Sequence, residues 1–112
     1  MDRYPNSTLM PDAKKLMREA KDRLSEANYR VGYYYYRIKW YVGAIDRFKE
    51  ILKTDPEYTH RDDVYFRLAE SLRLTKKEAE ALPYYERLVA EFESSEHIEE
   101  AKKRIAELKA AQ

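Results

Sequence analysis

The sequence predicts an all-α protein built from helix hairpins, and three observations support this fold class. Charged residues make up 38% of the 112 residues, with only two glycines and four prolines, a composition typical of amphipathic helices joined by short turns. Apolar residues recur at steps of three and four, which is the helical period. The clearest break is Asp55-Pro56, because the residue before a proline avoids helical geometry.

The first predicted helix is long and runs from Asp12 to Ile38. Pro11 is expected in its first turn, where the missing N–H of proline costs nothing. At 1.5 Å per residue such a helix is about 40 Å long. Its apolar stripe consists of Ala13, Leu16, Met17, Ala20, Leu24, Ala27 and Val31.

Four shorter helices follow. Asp62 is the expected N-cap of the third helix, and Thr75 with Glu78 forms a capping box that opens the fourth. Proline inside a helix costs about 3 kcal/mol, so Pro83 requires either that the fourth helix begins only a few residues before it or that the helix is kinked. The expected ranges are 41–54, 62–74, 75–92 and 97–111.

Two parts of the chain share one pattern of residue sizes. When Ala44 is aligned with Ala81, an offset of 37 residues brings the two parts into register: a period of 34 plus three additional loop residues near Tyr58 to Arg61. The first unit consists of Val31, Gly32, Tyr35, Ala44, Phe48, Ile51 and Pro56. The second consists of Leu68, Ala69, Leu72, Ala81, Tyr85, Leu88 and Glu93.

This order of residue sizes resembles the tetratricopeptide repeat (TPR), in which small residues allow the two helices of a hairpin to cross closely. Glu93 departs from the pattern, which has proline there, and Lys39-Trp40 stands where a turn glycine is usual. The resemblance implies one TPR-like domain over residues 1–112. Its parts are the long helix 12–38, repeat one over 25–58, repeat two over 62–95, and a capping helix over 97–111.

Three longer stretches resemble a narrower family. "YPNS" at 4–7, the segment 20–58 and "ALPYYERLVAEFESSEHIEEAKKRIAEL" at 81–108 are similar to the C-terminal part of the BamD (YfiO) family of outer-membrane assembly lipoproteins. The resemblance implies a C-terminal fragment, with the family's signal, lipid-bearing cysteine and earlier repeats before residue 1, and with Tyr4-Pro5 as the tail of a repeat. It also implies a non-catalytic, periplasm-facing scaffold at the bacterial outer membrane. Its protein partners would be the main barrel-forming subunit and smaller lipoproteins.

The tyrosine-rich stretch supplies the candidate binding residues. Helical steps of about 100° spread Tyr33 to Tyr36 around the helix, so Tyr35 is expected in the core and Tyr34 against a neighbouring helix. Tyr29, Tyr33 and Tyr36 form a separate stripe at i, i+4 and i+7. This stripe would line the concave groove of a TPR, or else would pack against the N-terminal half of the domain or another repeat. With the equivalent positions of the second unit, the predicted partner-binding residues are Tyr29, Tyr33, Tyr36, Arg37, Phe66, Glu70 and Arg73.

Several chemical functions are disfavoured. The net charge of +1 argues against a nucleic-acid binder, and the absence of cysteine excludes disulfides and thiolate metal sites. His60 with Asp62 and Asp63 is not predicted to bind a metal, because the other histidine, His97, lies 37 residues away. Nearly all carboxylates are expected on the outer faces of the helices beside Lys or Arg, which favours solvated side chains over an acid–base pair. No catalytic residue, cofactor or small-molecule substrate is predicted, and membrane contact is expected only through the family's lipid anchor.

Two alternatives to the assembly role remain open. One is a generic TPR adaptor, periplasmic or cytoplasmic, with a different protein client. The other is a self-associating structural domain, in which exposed aromatic residues and repeat ends form a homodimer, for instance by exchange of the long first helix.

Overall fold

A computed structural model describes the backbone of residues 6–111 and the side chains of residues 12–111. Within this range the chain forms five helices and no strand, which confirms the all-α fold class. Its helices are α1 (Asn6–Arg37), α2 (Tyr41–Thr54), α3 (Arg61–Leu74), α4 (Glu78–Glu91) and α5 (Ile98–Ala110). No described helix is both long enough and apolar enough to cross a bilayer.

The ends of the helices agree with the sequence in part. Helix α2 has its predicted bounds, whereas α1 begins at Asn6, so the placement of Pro11 in its first turn was wrong. The predicted tail at Tyr4-Pro5 lies outside the described residues. Helix α4 begins at Glu78 rather than at Thr75, five residues before Pro83, which is one of the two alternatives that the sequence left open.

Both predicted helix caps are wrong. His60 is the residue before α3, and Asp62 lies inside its first turn, where its Oδ2 accepts a hydrogen bond from Ser95 Oγ at 2.6 Å. Thr75 does not open α4: its Oγ1 donates to the Ser71 and Leu72 carbonyls at 2.9 and 3.0 Å, and so ends α3. Local sequence did not show to which helix Thr75 belongs.

The helices stack in sequence order. Helix α2 packs against α1 and α3, and α4 packs against α3 and α5. Side chains also join α1 to α3 and α3 to α5 directly, so α1, α3 and α5 line one side of the stack.

The close crossings expected of a TPR are present. Ala44 and Ala81 are completely buried, and a Cβ added to Gly32 would lie 2.6 Å from Phe48 Cε1. These positions therefore require small side chains. Among the first-helix positions of repeat one, Val31 and Tyr35 are only half-buried.

The α1–α2 and α3–α4 turns have the same geometry. Lys39 and Lys76, 37 residues apart, have left-handed φ angles of 66° and 64°. The amides of Trp40 and Lys77 donate to the carbonyls of Tyr35 and Leu72, both at 2.8 Å. A left-handed residue followed by this six-residue hydrogen bond is the Schellman helix ending, so the turns stay sharp without glycine.

The two left-handed lysines predict a stabilising substitution. A left-handed conformation costs an L-residue about 1–2 kcal/mol, whereas glycine adopts it freely. We expect Lys39→Gly and Lys76→Gly each to raise the free energy of unfolding by about 1 kcal/mol, measured by urea denaturation. Lys39→Ala is the control, because it removes the charge and keeps the strain. Equal stabilisation by alanine and glycine would contradict this explanation.

The N-terminal part of α1 packs through its polar side. Arg18 forms an ion pair with Asp55, and Ser25 Oγ donates to the same carboxylate at 2.7 Å. The Thr59 amide donates to Asp22 Oδ1 at 3.1 Å. The apolar stripe of α1 therefore faces away from the rest of the domain, and Tyr34, predicted to contact a neighbouring helix, is 60% exposed.

Candidate protein-binding surface

Three tyrosines on the inner side of α1 form a stack of rings. The ring centroids of Tyr29 and Tyr33 are 6.0 Å apart and those of Tyr33 and Tyr36 are 6.1 Å apart, with interplanar angles of 12° and 16°. Tyr29 anchors this stack in the core, because its ring lies 5.5 Å from that of Phe48. We call Tyr29, Tyr33 and Tyr36 the tyrosine stripe; it joins the core to an accessible surface.

Arg67 of α3 lies against the tyrosine stripe. Its guanidinium carbon is 5.2 Å from the ring centroid of Tyr33, 5.3 Å from that of Tyr36 and 5.2 Å from that of Phe66. Each distance is within the range of a cation–π interaction. Its Nε atom is buried and has no hydrogen-bond partner among the described residues, so these aromatic rings surround the cation and fix its position.

Glu70 organises the charges beside this surface. It is buried, and it accepts hydrogen bonds from Tyr85 Oη, Arg73 Nη2 at 2.7 Å and Arg104 Nε at 3.1 Å. Burial alone would raise the pKa of Glu70, but the hydrogen bonds from Arg73 and Tyr85 and the nearby arginine charges outweigh it, so its pKa lies below its ordinary value. Glu70 is therefore an ionised carboxylate that links α3, α4 and α5.

The tyrosine stripe has a different electrostatic environment. Burial, with a contribution from the Asp63 charge, raises the pKa of Tyr29 to about 12. Burial and the neighbouring Glu70 also raise the pKa of Tyr36. Both phenols are therefore neutral at physiological pH and can donate hydrogen bonds.

His97 joins α5 to the same side of the stack. Its ring stacks on Phe66, with 4.5 Å between the centroids and 4° between the planes, and its Nε2 lies 2.7 Å from Asp63 Oδ1. Separation in sequence was therefore a poor reason to set His97 apart from Asp63. The 37-residue offset was the available signal, because it makes His97 the equivalent of His60.

Comparison with known protein families assigns the chain to one of them. The model of a family described as YfiO, outer membrane lipoprotein, matches residues 1–81, which is more than half of the chain. The chain belongs to the YfiO family. Among curated proteins, the chain has no significant match.

The YfiO match covers α1, α2, α3 and the first residues of α4. The tyrosine stripe and Arg67 therefore lie inside the matched region, whereas Arg104 and the rest of α5 lie outside it. Recognition as a member of this family is confirmed, together with an all-helical fold consistent with TPR-like repeats.

The predicted binding residues differ in how accessible they are, and Tyr29 is half-buried with its ring against Phe48. Tyr33, Tyr36 and Arg73 are partly accessible and Arg37 is exposed. Phe66 and Glu70 are only 6% and 5% exposed, and both contact Tyr85 of α4. They have little surface to offer a partner, and their role in partner binding stays a prediction.

Proposed function

We propose that the chain is a non-catalytic scaffold that binds proteins during assembly of outer-membrane β-barrel proteins, on the periplasmic side of that membrane. Membership of the YfiO family of outer-membrane lipoproteins supports the assembly role. The observation that carries the binding role is the surface formed by Tyr33 and Tyr36 with Arg67 across them.

This surface has the chemistry of a protein-binding hot spot. Tyrosine and arginine are enriched at hot spots because they combine large contact areas with hydrogen-bond donors. Here the rings are stacked and the guanidinium is enclosed, so binding a partner requires little further ordering of these side chains. An open aromatic surface that is already ordered suits a peptide segment or a helix.

The charged groups nearby support binding rather than catalysis. A general acid or base needs a pKa near the working pH, whereas the pKa of Glu70 is lowered. Its oxygens are also occupied by Tyr85, Arg73 and Arg104. The buried carboxylate of Glu70 therefore has a structural role.

Two substitutions in the tyrosine stripe test the proposal. We expect Tyr33→Ala and Tyr36→Ala each to weaken binding to the barrel-forming subunit of the assembly machinery by about tenfold or more, which is about 1.4 kcal/mol. Both rings are half-buried at the edge of the core, so the melting temperature should change little. Isothermal titration calorimetry and thermal unfolding measure the two effects.

Val42→Ala is the control, because Val42 is an apolar side chain that is 60% exposed on α2 and lies outside the stripe. Weaker binding by Val42→Ala alone would contradict the stripe as the site. Unfolding of either stripe variant would show that its tyrosine belongs to the core and would contradict the proposal. No binding by the unaltered chain would contradict the assembly role and favour the generic adaptor.

A further inference from the structure

The outward side of α1 carries a regular heptad pattern. From Ala13 to Ile38, apolar or aromatic residues alternate in steps of four and three without interruption, the spacing of a coiled-coil seam. Ile38 continues the helix, because its amide donates to the Tyr34 carbonyl at 3.1 Å. The a positions are Met17, Leu24, Val31 and Ile38, and the d positions are Ala13, Ala20, Ala27 and Tyr34. We call these eight residues the heptad seam.

The domain leaves most of the heptad seam uncovered, although Val31 is half-buried. Met17 is 59% exposed, Leu24 70%, Tyr34 60% and Ile38 53%. The domain instead contacts the opposite side of α1, through Arg18, Ser25 and the tyrosine stripe. The apolar period of α1 thus has no explanation in the packing of the described residues.

The seam is longer than a helix of this fold. It spans 25 residue steps, or about 38 Å at 1.5 Å per residue. Helices α2, α3 and α4 have 14 residues each and are about 21 Å long by the same measure. A neighbouring repeat helix of that length would cover little more than half of the seam, so a longer helix fits it better.

The charges beside the seam indicate the chemistry of its partner. The flanking e and g positions carry five cations and no acid: Lys14, Lys21, Arg23, Arg30 and Arg37. A second copy of α1 packed antiparallel would place Arg23 opposite its partner's Arg30, because g faces g in that arrangement. A parallel copy would place arginine g positions opposite lysine e positions. Like charges disfavour both pairings.

We propose that the heptad seam docks an amphipathic helix of another protein, with an apolar a/d stripe and Asp or Glu at its e and g positions. The alanines at d allow close approach of the partner backbone, and the larger a residues pack between its side chains. A cationic apolar helix also suits an anionic bilayer. However, three alanines among eight seam positions give little bulk to insert between lipids, so the seam fits a helix better. The proposal is independent of the tyrosine stripe.

A designed peptide tests the proposal with the full chain. The peptide has about four heptads, with leucine at a and d and glutamate at e and g, and its counterpart has lysine in place of each glutamate. We expect the acidic peptide to bind at least tenfold more tightly than the basic one in fluorescence anisotropy, and this preference to shrink as salt is added. Equal binding of the two peptides, or no binding of either, would overturn the proposal.

Two variants of the chain locate the binding. Leu24→Lys changes an exposed side chain, so the fold should persist while the affinity for the acidic peptide falls about tenfold or more. The double substitution Arg23→Glu and Arg30→Glu leaves three cations and two acids at the flanking positions, so the preference for the acidic peptide should shrink markedly. Tyr33→Ala, on the other side of α1, should bind the acidic peptide like the unaltered chain. Unchanged affinity in Leu24→Lys would contradict the seam as the site.

Two further measurements test whether a second copy of the chain or a membrane surface occupies the heptad seam instead. Sedimentation that shows a dimer of the unaltered chain and a monomer of Leu24→Lys would assign the seam to a second copy and overturn the proposal. Binding to phosphatidylglycerol vesicles that Leu24→Lys abolishes, without peptide binding, would assign the seam to a membrane surface and would also overturn it. If the unaltered chain is a monomer that does not bind the vesicles but does bind the acidic peptide, the proposal is supported.

Discussion

Phe48→Ala is expected to lower the free energy of unfolding by about 4 kcal/mol, because it leaves a cavity at the α1–α2 crossing. Phe48 is completely buried, and its ring fills the space that Gly32 leaves open. Gly32 has no side chain that could move into the cavity. Urea denaturation followed by far-ultraviolet circular dichroism measures this loss, a large share of the roughly 5–15 kcal/mol that stabilises a typical domain.

Two variants test whether the stability loss of Phe48→Ala comes from the α1–α2 crossing. Val42→Ala, on the same helix but 60% exposed, should change stability by less than about 0.5 kcal/mol. Gly32→Ala in the Phe48→Ala background should restore part of the loss, because the added methyl group enters the cavity and a glycine leaves the helix. If Gly32→Ala destabilises the Phe48→Ala protein further, the proposed coupling between these two positions is wrong.

Glu70→Ala is expected to cost about 3 kcal/mol, since removing one member of a buried ionic cluster leaves its partners uncompensated. Arg73 and Arg104 would lose their shared carboxylate, and the buried Tyr85 hydroxyl would lose its acceptor. Thermal unfolding measures the change. Glu100→Ala is the control, because Glu100 pairs with Arg104 at 3.0 Å but is more exposed; its loss should be below about 1 kcal/mol.

The same carboxylate gives an acid dependence of definite sign. The folded-state pKa of Glu70 lies below the ordinary value of 4.5, so its contribution is complete above that pH and is lost as the pH falls through the folded-state pKa. Glu70→Gln should therefore lose less stability than the unaltered protein when acidified from about pH 5. The pKa of Asp55 is also lowered, because the hydrogen bonds from Arg18 and Ser25 outweigh its burial, so the variant keeps some acid dependence. Parallel stability curves for both proteins would contradict the role of Glu70.

The fold was predictable because its signals are local or regular. Periodic apolar residues and Asp55-Pro56 predicted α2 within its observed bounds, and the 37-residue offset predicted both buried alanines. The caps at Asp62 and Thr75 were wrong because neighbouring helices decide them. Ser95, 33 residues away, donates a hydrogen bond to the Asp62 carboxylate. Thr75 donates a hydrogen bond to the Ser71 carbonyl in α3. Such partners are not visible in a four-residue motif.

The binding surface was predictable in part. Helical spacing brought Tyr29, Tyr33 and Tyr36 together, as the ring distances show. The equivalence between repeats placed Phe66 and Glu70 on the corresponding side of α3 but could not show that α4 and α5 bury them. Likewise, periodicity showed that α1 has an apolar side without showing which side meets the domain. That orientation depends on polar contacts such as Arg18 with Asp55.

The sequential stacking of the helices has a consequence for the order in which structure is lost. A stack in which each unit touches mainly its neighbours melts from its ends inward, with fraying at one end largely independent of the other. Helix α3 alone has contacts with all four other helices. Partial unfolding from either terminus therefore leaves α3 until last. Fraying of α1 from the N-terminal end would take Tyr33 and Tyr36 away from Arg67, whereas Phe66 would stay beside it on α3.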